Sequence, residues 1–92
     1  MYICVSTPIL SRNVRYLRML SGMSWKTLGI LTGISHNTVK KLEEAETVQI
    51  EMSYLLRMCD IFELTMDLLL QSDLEQEKYL LPFYGDEEIL IT

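Results

Sequence analysis

Ninety-two residues fit one small domain, whose core supplies only modest stability unless a partner adds buried area. Apolar residues make up 49% of the chain and charged residues 23%, an ordinary globular balance that excludes low-complexity, collagen-like and disordered classes. The net charge of −5 argues against a polyanionic partner until its distribution is read: Arg12, Arg15, Arg18, Lys26, Lys40 and Lys41 precede Glu43 with no acid among them, and all 13 acids follow, beside Arg57 and Lys78 alone. One reading is a basic face that meets a polyanion and an acidic face left to solvent or protein; the other is solvated charge on every side. At physiological salt the Debye length is about 8 Å, so acids on the far side of a domain hardly weaken contacts on the basic side.

In chain order, Tyr2-Ile3-Cys4-Val5 is apolar and β-branched and predicts a short strand. After Pro8, the stripe Leu10, Val14, Leu17 and Leu20 predicts a first helix from Ile9 or Leu10 to Ser21, ended by Gly22. Ser24 is placed to cap a second helix, Trp25 to Leu31, with Leu28 and Leu31 inward and Gly33 as a left-handed turn residue. Ser35 caps a third, His36 to Glu43 or Glu44, anchored by Val39 and Leu42 and otherwise turned outward. A fourth helix from about Glu51 to Phe62 buries Leu55, Met58, Cys59 and Phe62, and Thr65 caps a short fifth through Leu70. Beyond Gln71, Leu74 to Leu81 can continue as helix, Pro82 stops it, Tyr84-Gly85-Asp86 reads as a turn and Glu88 to Thr92 as a strand. The two terminal strands are expected to pair with each other or across a dimer, unless a tail is disordered.

No run of about 18 apolar residues occurs, and Met1 to Thr7 lacks a basic flank, so no membrane span and no signal peptide are expected and the expected compartment is the cytoplasm. Cys4 and Cys59, far apart, are expected as reduced thiols. One histidine, no glycine-rich phosphate loop and no nucleophile with an identifiable base argue against an enzyme, and no cofactor or metal site is expected.

Two helices that cross closely need a small residue on the first, a turn glycine and an apolar anchor on the second. Gly29, Gly33 and Val39 supply these, with Leu28 before them and Ile34 and Leu42 following. The stretch Ser24-Trp25-Lys26-Thr27-Leu28-Gly29-Ile30-Leu31-Thr32-Gly33-Ile34-Ser35-His36-Asn37-Thr38-Val39-Lys40-Lys41-Leu42-Glu43 resembles the helix-turn-helix of the Cro/phage-repressor (XRE-like) family, and the likeness extends over residues 10–71. It implies an all-α, five-helix, lambda-repressor-like DNA-binding domain with short terminal strands, preceded by an arm or strand at 1–9 and followed by an extension at 72–92.

The resemblance places the third helix in the major groove of double-stranded DNA and assigns base reading to His36, Asn37, Lys40 and Lys41. It assigns phosphate contacts to Ser24, Trp25, Lys26, Ser35 and Thr38. It also implies an ion pair between Arg18 and Glu43; the alternative is two surface charges. The family usually carries glutamine where Trp25 stands, alanine where Gly29 stands, and an uncharged or basic loop where this chain has Glu44-Ala45-Glu46. Gly29 is expected to cost about 0.5–1 kcal/mol of helix stability relative to alanine.

Leu74, Tyr79, Leu80, Leu81, Phe83, Tyr84, Ile89, Leu90 and Ile91 form an apolar tail that, with Met1 to Val5, is expected to build a homodimer interface or to cover the domain's own core. The functional expectation is a sequence-specific transcriptional regulator, a repressor bound to a palindromic operator as a dimer. The alternative is a protein-interaction module of anti-repressor or antitoxin type that engages a protein partner through the acidic half.

Overall fold

The computed structural model describes residues 3–5, 7–44 and 49–79, the first group by backbone alone. Two strands and five helices run in the order β1 (Ile3–Val5), α1 (Pro8–Leu20), α2 (Trp25–Thr32), α3 (His36–Glu43), β2 (Gln49–Glu51), α4 (Met52–Phe62) and α5 (Met66–Gln71). The class is all-α, as the resemblance implied, with a small two-stranded ladder.

Helix starts follow from capping chemistry. Thr7 accepts from the Leu10 amide at 3.1 Å and Pro8 is the first helical residue, so α1 begins earlier than the apolar stripe indicates. Proline there has no N–H to lose, and its fixed φ is already helical. Ser24, Ser35 and Thr65 cap α2, α3 and α5 in the same way, accepting from Thr27, Thr38 and Leu68. Gly33 ends α2 at φ 89°, in the left-handed region that costs glycine nothing.

One core joins all five helices: Leu10, Val14 and Leu17 of α1, Leu28 of α2, Val39 and Leu42 of α3, Ile50 of β2, the four predicted residues of α4, Leu69 of α5, and Leu74 beyond it. Leu31, expected inward, is 45% exposed, and Thr32 takes the buried position. Successive positions differ by about 100° on a helix, so the face that holds Leu28, Gly29 and Thr32 leaves residue 31 to one side. The Thr32 hydroxyl donates to the Leu28 carbonyl at 2.8 Å, which lets a polar side chain stand there.

The ladder also differs from expectation. Strand β1 pairs antiparallel with β2, in the register Ile3 with Glu51, Cys4 with Ile50 and Val5 with Gln49. Gln49-Ile50-Glu51 is too short and too mixed to announce a strand, and its pairing moves the start of α4 to Met52. Nor does helix continue from Leu74: one turn closes at Lys78, whose φ is 56°, with Asp73 accepting from the Gln76 amide at 3.2 Å. The remaining C-terminal expectations, the Pro82 stop, the Tyr84 to Asp86 turn and the Glu88 to Thr92 strand, lie outside the described residues, as does the loop 45–48.

Residues 72–79 fold back onto α1. Asn13, wholly buried, donates to the carbonyls of Leu69 and Ser72, both at 2.7 Å, and accepts from the Leu74 amide at 3.0 Å. Arg12 pairs with Asp73, and the Tyr16 hydroxyl donates to the Tyr79 carbonyl at 2.5 Å.

Candidate nucleic-acid interface

The reading unit is built on a close approach at Gly29. A methyl group added there would stand 2.6 Å from the Ile34 carbonyl oxygen, closer than carbon tolerates. That carbonyl lies in the turn, whose Gly33 and Ile34 amides both donate to the Gly29 carbonyl, at 2.8 and 3.1 Å. The missing side chain therefore fixes how tightly α3 is tethered to α2. Gly33 packs less closely against the next layer, where an added methyl would stand 3.1 Å from the Arg57 guanidinium and 3.4 Å from the Tyr54 ring of α4.

Burial of Val39 and Leu42 turns the rest of α3 outward. His36, Asn37, Lys40 and Lys41 are all exposed, and Thr38 is half-buried. Asn37, Lys41 and Glu44 follow at spacings of four and three, so they share the face opposite the core. His36, Lys40 and Glu43 follow at the same spacings on the flank toward the start of α2. A surface of this kind offers amide, imidazole and ammonium donors to whatever lies across it, with its one exposed acid, Glu44, at the C-terminal end.

On that flank stands Trp25, the first residue of α2. Two cations stand near its ring, with Arg18 Cζ 5.5 Å and Lys40 Nζ 5.4 Å from the centroid. Its Nε1–H donates to Glu43 at 3.1 Å. An indole has one such hydrogen, so the Trp25 donor assigned to phosphate is already engaged within the protein. Glu43 also accepts from Arg18, through Nε at 2.6 Å and Nη2 at 3.0 Å, and the Arg18 Nη1 donates to the Met23 carbonyl. This cluster ties α1, the loop before α2 and the end of α3 together.

The hydroxyls have a similar division of labour. Ser24 donates to Thr27 at 3.1 Å while it caps α2, which leaves the Thr27 hydrogen free and makes Thr27, not Ser24, the outward donor. Ser35 and Thr38 lie 2.8 Å apart, and one of their two hydrogens remains for an external acceptor. Lys26 is exposed at the start of α2.

Sequence reasoning overlooked Arg15 and Thr27. Arg15, exposed, lines an open depression of about 380 Å³ with Arg18, Met19, Trp25, Glu43 and Glu44, which carries the basic flank from α2 onto α1. Its three-residue spacing from Arg18 was the available signal. Among the described residues no three of His, Cys, Asp and Glu are grouped to hold a metal, and no helix is long and apolar enough to cross a membrane.

Residues 13–71 match the family model of the Cro/C1-type helix-turn-helix DNA-binding domain. No curated protein and no solved structure gives a match.

Proposed function

Since the chain belongs to the Cro/C1-type helix-turn-helix DNA-binding family, and is on that ground a DNA-binding regulator, we propose that it is a cytoplasmic repressor that binds a palindromic operator as a homodimer, without catalysis. Helix α3 enters the major groove, and His36, Asn37 and Lys41 meet base edges. An asparagine amide suits the paired donor and acceptor of adenine, and a lysine suits O6 and N7 of guanine, at about 1–3 kcal/mol of discrimination each. Thr27, Lys26, Ser35, Thr38 and Arg15 hold phosphates, which position the helix without reading sequence.

The observation that carries this reading is the exposed donor face of α3, free of acid from His36 to Leu42, on a unit whose two helices are locked at Gly29. The dimer is assigned to the apolar residues Leu80 to Ile91 together with Met1 to Val5, since Leu74 is buried in the domain's own core and Tyr79 packs against it. A two-fold operator then has half-sites about 34 Å apart, and the two copies need a self-complementary surface.

Selection of bound sequences from a random DNA pool tests the whole proposal. The expected product is an inverted repeat, with affinity falling by about 0.9 log units per log unit of salt for each phosphate held. Enrichment of a single half-site would count against the dimer, as would a monomer by light scattering. A specific observation favours a second reading: Glu44 ends the α3 face, and the acids of the chain all follow Leu42, which suits a basic protein partner better than a phosphate. Absence of DNA binding at about 50 mM salt, where phosphate contacts are strongest, would favour that reading.

A further inference from the structure

We infer that Lys40 is a phosphate-binding residue, not a base reader, and that Trp25 is the positioning residue that holds it on the phosphate flank of α3. The inference rests on the DNA-binding reading and divides the α3 face within it. Lys40 is one of two adjacent lysines on α3, and by exposure alone the two are equivalent. The geometry separates them. Lys40 Nζ stands 5.4 Å from the centroid of the Trp25 ring, at the start of α2, whereas Lys41 lies on the outward face with Asn37. A free lysine has four rotatable bonds and samples both the groove and the backbone. An ammonium over an indole face is drawn to one side by the ring's electron-rich surface.

Trp25 is itself immobilised. Its N–H is held by Glu43, its other neighbour is the Arg18 guanidinium, and Glu43 is fixed by Arg18 through two further bonds. The ring, itself 37% exposed, is thus a held platform, and the exposed Lys40 ammonium stands near it. Lys26 and the Thr27 hydroxyl lie on the same first turn of α2. The ammonium of Lys40 joins them in a group that neutralises a strand backbone, so that sequence discrimination falls to His36, Asn37 and Lys41. The indole contributes indirectly, by placing the neighbouring helix's cation in that group.

The test uses the full chain and the DNA sequences enriched from the random pool, with affinity measured by fluorescence anisotropy over a salt series. Lys40→Ala is expected to weaken binding by the same factor on every sequence and to lower the salt slope by about 0.9, the share of one phosphate contact. Lys40→Arg, which keeps the charge and the ring contact, is expected to restore both. Lys41→Ala is expected to change the rank order of preferred sequences. Trp25→Leu is expected to reproduce the Lys40→Ala slope although Lys40 is untouched, and Trp25→Phe to retain the wild-type slope because it keeps a ring. Lys40→Ala, a surface change, leaves folding intact and is decisive by itself: a changed rank order with an unchanged slope overturns the assignment. An unchanged slope in Trp25→Leu overturns the positioning role. A wild-type chain that binds no DNA overturns the functional proposal as a whole, an outcome distinct from either.

Discussion

Arg18 grips the carboxylate of Glu43 with two nitrogens, Nε to Oε2 at 2.6 Å and Nη2 to Oε1 at 3.0 Å, and the two side chains are only 15% and 4% exposed. Both charges were removed from water to make this contact, so the pair's net worth is small while the loss of one member is large. Arg18→Ala leaves Glu43 with the Trp25 N–H alone, and is expected to cost about 3–5 kcal/mol in denaturant unfolding. Replacing both by Leu is expected to recover much of that loss. Two single variants that each cost under about 1 kcal/mol would place the pair among ordinary surface bridges.

Gly29 reverses an expectation drawn from helix propensity. Alanine is favoured over glycine inside a helix by about 0.5–1 kcal/mol, so Gly29→Ala should stabilise α2 considered alone. The Ile34 carbonyl oxygen 2.6 Å from the added methyl, with the His36 amide at 3.3 Å, is backbone that moves only if the turn moves. Overpacking of this kind costs about 1–3 kcal/mol, which outweighs the propensity gain. A lower melting temperature for Gly29→Ala, with weaker DNA binding as α3 shifts, is the expected outcome; a raised melting temperature would show that the turn yields freely.

Ser24, Ser35 and Thr65 declare three of the helix starts in the sequence because a cap acts within three residues of itself. The core stripe of α4 is equally local. What periodicity cannot show is a polar group buried by partners far along the chain. Asn13 lies on the same side of α1 as the apolar stripe, but the groups that satisfy it there, on Leu69, Ser72 and Leu74, are brought to it only by the fold. The meeting of Trp25 with Glu43 depends in the same way on the crossing of two helices, and it removes a donor that looked available in the sequence. The α3 face was legible, since two buried positions suffice to define its opposite side; the division of labour between Lys40 and Lys41 was not.

Asn13 is the clamp on the end of α5. Asn13→Leu fills a similar volume but leaves the Leu69 and Ser72 carbonyls and the Leu74 amide without a partner. With buried polar groups each costing about 1–3 kcal/mol when orphaned, a loss of about 2–4 kcal/mol is expected after local relaxation. Hydrogen exchange should show it first at the Leu74 amide. A loss under about 1 kcal/mol would mean that water replaces the amide readily.

Tyr16 supplies a pH dependence. Burial pushes its phenol above the ordinary tyrosine value, and Glu75 adds to the shift. A raised pKa in the folded state means that folding favours the protonated form. The contribution is complete below the unfolded value of about 10 and is lost as pH rises through the folded one. Deprotonation also removes the hydrogen donated to Tyr79. Tyr16→Phe is expected to be less stable at neutral pH by about 0.5–1.5 kcal/mol and to lose less stability in alkali than the wild type. Parallel alkaline curves for the two proteins would assign the loss to other groups.

Glu44 is the residue on which the two functional readings part. It is exposed at the end of α3, one turn beyond Lys40 and Lys41, and lines the depression that also holds Arg15, Arg18 and Trp25. If DNA phosphates approach the start of α2, this carboxylate faces them across solvent. Repulsion between exposed charges is worth about 0.2–1 kcal/mol at moderate salt and is screened as salt rises. Glu44→Gln is therefore expected to tighten DNA binding by about 2–5-fold at low salt, with a smaller gain at higher salt, because one opposing charge is gone. A basic protein partner gives the opposite sign, since there Glu44 contributes attraction and its loss weakens the complex. Tighter DNA binding by Glu44→Gln over a salt series shows that the acidic end of α3 restrains a DNA grip, and an unchanged DNA affinity shows that it does not.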